Sequence, residues 1–258
     1  MMLCTTLALG LFIDEKKIFK CIICAAMFVF LIIGILISNT MSSVVGLGAA
    51  LIFALIYCLV NKKFLKIILF VIAIICIALY VNKAEKTNLL KDVQVVGKES
   101  TEMAKGNIKD NYGTNRLYIW KNAVKIIPEN LLHGVGIDNF YYAFNGKPLV
   151  SKDGRTYYDK VHNEYLQVLI TEGLCCLIAY VLMYLVIGVR GTVNAFKNKE
   201  VYIVLPFIGY VVQAFFNISV LEVAPIFYII LGFCSTQIRL KKDASRTTET
   251  TPNRIIEK

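Results

Sequence analysis

The sequence predicts an all-α fold: a polytopic bundle of membrane helices, about six spans plus a partial one, with a helical extracytoplasmic cap loop. Three observations predict it. Hydrophobic residues make up 57% of the chain and the mean hydropathy is +0.63, above the roughly 45–50% apolar content of soluble domains. Those residues fall in blocks, not in amphipathic stripes. The short loops alternate between crowded and empty of Lys and Arg down the chain.

Residues 1–13 are apolar but too short to span. They lack the basic start and small-residue cleavage site of a signal peptide. They read as the second half of a membrane helix, which fits an N-terminally truncated chain with upstream helices missing. A charged loop at 14–20 leads to a span at 21–37. SNTMSS (38–43) leads to a span at 44–60, and NKKFLK (61–66) to one at 65–81. A long polar region fills 82–163. Spans follow at 164–189, 201–217 and 223–238. The expected organisation is membrane helices at 1–81, an extracytoplasmic cap at 82–163, membrane helices at 164–238 and a cytoplasmic basic tail at 239–258.

Orientation follows from the short loops. Lys16, Lys17, Lys20, then Lys62, Lys63, Lys66, then Arg190, Lys197, Lys199 and the tail share one side. SNTMSS and SVLE on the other side carry no Lys or Arg. The positive-inside rule puts the basic side in the cytoplasm, and long loops such as 82–163 translocate largely regardless of charge. The formal charge of +10 thus orients helices and meets an anionic inner leaflet, and no nucleic-acid partner is expected. All eight cysteines lie in apolar blocks and read as small hydrophobes. Cys21-x-x-Cys24 has metal spacing but no partner pair or His, so no metal site is expected.

The chemistry concentrates in residues 114–170, which hold the only Trp (Trp120) and both histidines, His133 and His162. Residues 82–113 predict weak order or a short helix. Thr114 or Asn115 can then N-cap a helix whose apolar face is Leu117, Trp120, Val124 and Ile127, with Pro128 ending it. Such a helix lies in the interface with Trp120 at headgroup depth. Residues 133–136 read as a turn, 138–144 as a short aromatic helix, and 152–155 as a tight turn. His162 falls at the outer mouth of the next membrane helix.

Arg116-x-x-x-Trp120, then Pro128, His133-Gly134-Val135-Gly136-x-Asp138-x-Phe140, His162-Asn163-x-Tyr165-Leu166 and Glu172-Gly173-Leu174 stand in one order over residues 115–173. Together they resemble the O-antigen ligase and O-antigen polymerase superfamily. The resemblance implies glycan transfer outside the cytoplasm. A sugar chain leaves an undecaprenyl-diphosphate carrier for a lipid acceptor or for another carrier-linked glycan, in surface polysaccharide assembly at a bacterial inner or plasma membrane. It implies no metal and no cofactor. Two features depart from the family. Its S-R-G motif has no arginine at the matching place, Thr40 to Gly46, and its members usually have about ten or more spans.

Transfer from a lipid diphosphate needs positive charge on the leaving group and a base for the acceptor hydroxyl. Arg116 suits the first, since a guanidinium is always charged and grips phosphate with paired donors. His162 suits the second, as a neutral imidazole. Asn163 or Glu164 can orient the imidazole or sugar hydroxyls. Arg155 and Lys160 are secondary phosphate contacts, and Trp120 and Tyr165 are candidate substrate-binding residues. The plain readings stand beside these: a snorkelling arginine, a helix-capping histidine and an interfacial tryptophan. Two other functions fit the composition, a lipid-linked glycan flippase and an inactive accessory subunit. The spans lack the paired charges and broken helices of transport sites.

Overall fold

The computed structural model describes residues 1–38, 40–69, 72, 89–144, 146–152 and 154–235. Most of the span expected at 65–81 lies outside the described residues, as do residues 73–88 and the tail from 236. The helices are α1 (Met2–Asp14), α2 (Ile18–Ser38), α3 (Met41–Val60), α4 (Leu89–Ala104), α5 (Arg116–Asn130), α6 (Glu164–Glu172), α7 (Leu174–Asn198), α8 (Val204–Ala214) and α9 (Ala224–Ser235). A 3₁₀ turn covers Phe140–Tyr142, and strands β1 (Leu149–Val150) and β2 (Tyr157–Tyr158) pair antiparallel.

Two hydrophobic cores form. The larger joins α1, α2, α3, α7, α8 and α9 around Leu9, Ile35, Tyr57, Leu205 and Phe227. Close backbone approach builds part of it: a Cβ on Gly46 of α3 would stand 2.6 Å from the Gly209 carbonyl of α8. Small residues bring apolar helices together where burial from water supplies no drive. At one end of this bundle, Asp14 accepts from the backbone N–H groups of Val201 and Tyr202 and pairs with Lys63 at 3.0 Å. The loops expected on the basic side therefore meet at one end. At the other end, the Gln213 amide reaches Ser43 Oγ at 3.3 Å, and Phe215 packs against Trp120 of the polar lobe.

Three described helices are long and apolar enough to cross a membrane: α2, α3 and α7. The expected spans at 21–37 and 44–60 match α2 and α3. The expected span at 201–217 differs. Helix α8 has 11 residues, about 16 Å against a hydrocarbon core of about 30 Å. It stops because the chain turns back: the Tyr210 hydroxyl bonds Ser219 Oγ at 2.9 Å, which holds the connector beside α8.

The span expected at 164–189 is two helices. Gly173 breaks it at φ 91, ψ 175, a conformation nearly confined to glycine. The carbonyls at the end of α6 are taken up by the polar lobe, with Val135 N–H donating to Ile170 O and Gly136 N–H to Thr171 O, both at 2.9 Å. Leu174 N–H donates to Leu131 O at 2.8 Å. Gly134 fits here because a Cβ would stand 2.4 Å from Thr171. A Cβ on Gly173 would meet Leu132 O at 2.4 Å. Gly173→Ala is therefore expected to cost at least about 1–3 kcal/mol from backbone strain alone. Thermal unfolding in detergent checks this. Gly48→Ala, where a Cβ meets nothing within 4 Å, leaves the midpoint near wild type.

The smaller core belongs to the polar lobe. It comprises Ile119, Ala123, Ile126, Phe140, Leu149, Tyr158, Val161 and Ile170. The face of α5 is thus rotated from the expected one: Ile119, Ala123 and Ile126 are buried, while Val124 is 53% exposed. Pro128 does not end α5, which runs to Asn130. The carbonyl that loses its partner belongs to Val124, on the exposed side. Neither Thr114 nor Asn115 caps α5 through its side chain. Backbone carbonyls do so instead, with Leu117 N–H on Tyr112 O and Tyr118 N–H on Asp110 O. The two short strands were not expected from sequence; in the segment between them Gly154 N–H donates to Ser151 O at 2.9 Å.

Candidate functional site

The site lies where α5 meets the chain entering α6. Arg116 opens α5, and its guanidinium folds back to Gly113 O at 3.3 Å and Thr114 Oγ1 at 3.1 Å. Its Nε is buried without a hydrogen-bond partner, which holds for no other buried side-chain N or O atom among the described residues. Burial lowers the Arg116 pKa from its ordinary value, yet a guanidinium stays charged in proteins. A buried donor that makes no bond is costly unless something accepts from it.

His162 sits beside this charge. Its pKa is pushed below the ordinary 6.5, first by burial and then by Arg116, with Asp159 pulling the other way. The imidazole is therefore neutral at neutral pH. Its backbone is unusual, at φ 55, a conformation uncommon for a residue with a Cβ. The neighbours fix it there. Val161 is fully buried; its N–H donates to Gln167 Oε1 at 2.9 Å and its carbonyl accepts from Trp120 Nε1 at 3.0 Å. On the other side, Asn163 Oδ1 accepts from Leu166 N–H at 3.0 Å and N-caps α6. Arg116 and Trp120 are four residues apart and so share one face of α5. One helical turn thus carries both the cation and the strut that holds His162.

The other expected residues are placed differently. Asn163 is 2% exposed, so its side chain serves the helix start. Glu164 is also buried and turns away from the imidazole: the Tyr180 hydroxyl donates to its carboxylate, and the Tyr210 hydroxyl lies 3.2 Å from Oε2. Trp120 is a strut between Val161 and the rings of Phe215 and Phe216, not an open sugar platform. The Tyr165 hydroxyl donates to Val211 O at 2.9 Å, joining α6 to α8. Arg155 is exposed on the connection between β1 and β2. Lys160 is ion-paired with Asp138, and His133 is exposed beyond α5.

Two concavities flank the site. Below Tyr165, a groove of about 540 Å³ runs along α7 and α8, lined by Tyr184, Leu185, Val189, Phe207 and Val211 among others. It is almost wholly apolar. A polar cleft of about 690 Å³ opens on the other side of α5, against the β1–β2 hairpin.

Fold and site together define a class: a helical membrane protein with a polar lobe that sets a half-buried guanidinium beside an imidazole. The family described as O-antigen ligase matches residues 26–181, more than half of the chain, and the chain belongs to that family. Its role is accordingly of the O-antigen ligase or polymerase type, a glycosyltransferase-like activity on lipid-linked glycans in a membrane. The match includes Arg116, Trp120 and His162. No curated protein matches the chain.

Proposed function

We propose that the chain transfers a glycan from an undecaprenyl-diphosphate carrier to a lipid-linked or glycan acceptor, without a metal, at a bacterial inner membrane. In this reading residues 82–163 form the extracytoplasmic cap between membrane helices at 1–81 and 164–238, with the tail at 239–258 in the cytoplasm. The observation that carries it is the unpartnered, buried Nε of Arg116 beside His162. A diphosphate that draws the guanidinium away from Gly113 O and Thr114 Oγ1 opens that donor to an acceptor oxygen and offsets its burial. The apolar groove under Tyr165 suits a polyprenyl tail.

His162, neutral, takes the proton of the acceptor hydroxyl as its oxygen attacks the anomeric carbon. The bond from that carbon to the carrier's diphosphate oxygen breaks, and its electron pair leaves with the undecaprenyl diphosphate. Arg116 stabilises the charge gathering there, more strongly in a water-poor site than in bulk water. Asn163 and Trp120 act through the backbone on either side of His162. Trp120→Phe keeps an aromatic ring but strands the buried Val161 carbonyl, at a cost of about 1–3 kcal/mol. It is expected to lower kcat about tenfold with KM little changed, as steady-state kinetics in proteoliposomes measures.

The test is expression in a host lacking its own polymerase and ligase, with surface glycan run on a gel. Long ladders from the wild type that vanish in His162→Ala support the reading. Identical ladders from both remove His162 from the chemistry, and no ladder from either favours an accessory subunit.

A further inference from the structure

We propose that the cleft between α5 and the β1–β2 hairpin holds the sugar chain of the lipid-linked substrate and selects acidic glycans; this rests on the transferase reading above. The cleft takes Asn115 from just before α5, Tyr118 and Lys121 from α5, and Lys152, Thr156 and Tyr158 from the hairpin and its turn. Its chemistry is that of a carbohydrate site. Tyr118, half-buried, offers apolar ring surface and is backed by the buried Tyr158, 6.3 Å away at 55°, while the amide and hydroxyl groups beside it can exchange hydrogen bonds with sugar hydroxyls.

Its place in the fold ties it to the reaction. Asn115 lines the cleft and directly precedes Arg116. Tyr118 and Lys121, three residues apart, share a face of α5 roughly opposite the one shared by Arg116 and Trp120. A glycan whose diphosphate lies at Arg116 reaches the cleft by passing round the N-terminal end of α5, where Asn115 stands.

Charge sets the preference. Among the described residues, Lys109, Lys121 and Lys152 line the cleft against one carboxylate, Asp110. Asp110 pairs with Lys121 and with Lys152, each at 2.7 Å. Those two lysines hold its carboxyl down to about 2, so the charge balance is fixed at physiological pH. Both lysine side chains are more than half exposed, at 60% and 68%. The described lining residues therefore carry a net positive charge facing solvent, which raises the local concentration of anionic ligands.

The test titrates the purified full chain in nanodiscs with oligogalacturonides as the acidic probe and dextran oligomers of matched length as the neutral one. Oligogalacturonides are expected to bind and dextran oligomers not to. The pair Lys121→Gln and Lys152→Gln weakens binding about five- to tenfold, as expected for two exposed charge contacts. Asp110→Asn strengthens it, and Lys125→Gln, on α5 but outside the cleft, leaves it unchanged. Absence of wild-type binding, equal binding of dextran, or indifference to the paired lysine change each overturns the proposal. So does lysine-dependent binding of anionic-lipid vesicles in place of the glycan. Glycan binding as expected, with no ladder in the expression experiment, keeps the cleft and removes the transferase; a ladder without such binding does the reverse.

Discussion

His162→Ala is expected to lower glycan transfer about 10²–10⁴-fold, the usual worth of a positioned acid or base, with membrane abundance unchanged. The side chain is only partly buried and sits outside both hydrophobic cores. Removing it also leaves the bonds of Val161 and Asn163 in place. A folding defect is therefore not the expected route to lost activity. Paired measurements of turnover and of thermal midpoint in detergent separate the two. An unchanged turnover would remove His162 from the reaction, and a collapsed midpoint would give it a structural role.

Arg116→Gln is expected to cost about 10²–10³-fold in turnover, as for the loss of one donor that stabilises developing charge. The same substitution has a second signature. A base must be neutral, so the rate rises with pH through the His162 midpoint and then levels. In the wild type that midpoint lies below 6.5, because burial and Arg116 both lower it. Without the Arg116 charge one lowering cause is gone, and the midpoint of the residual activity shifts upward. Asp159 raises the His162 pKa, so Asp159→Asn shifts it downward. A pH–rate profile for each variant reads both signs. A midpoint unmoved in Arg116→Gln would mean that the two groups do not act on one another during turnover.

Much of this was legible in the sequence, for physical reasons that differ by residue. Helices α2 and α3 were plain because long apolar runs free of interior charge leave few alternatives. The order of Arg116, Trp120, His162 and Gly173 carried the family resemblance, and the family match spans the first three and Gly173 as well. The break at Gly173 was not legible from hydropathy, because apolar residues continue through it; the signal was the glycine itself, whose need shows only once Leu132 is packed against it. The buried face of α5 was misjudged because Ala123 is a weak hydrophobic signal, yet its small size is what admits it to the lobe core. Strands of two residues with a polar connection carry too little period-2 pattern to be read. The bond from Trp120 to Val161 joins residues 41 apart in sequence, beyond the reach of any local pattern. From sequence Glu164 was expected, as an alternative to Asn163, to orient the imidazole or sugar hydroxyls; its burial against Tyr180 and Tyr210 depends on the fold of α7 and α8.

The central claim is that Arg116 and His162 together move a glycan from a lipid diphosphate. The direct measurement uses the full chain in proteoliposomes, supplied with undecaprenyl-diphosphate-linked oligosaccharide in the presence of EDTA. Product length and released undecaprenyl diphosphate are followed together. The wild type is predicted to lengthen the glycan and release one lipid diphosphate for each bond formed, and both activities are predicted to fall together in Arg116→Gln and in His162→Ala. Transfer at the wild-type rate by either variant would contradict the account.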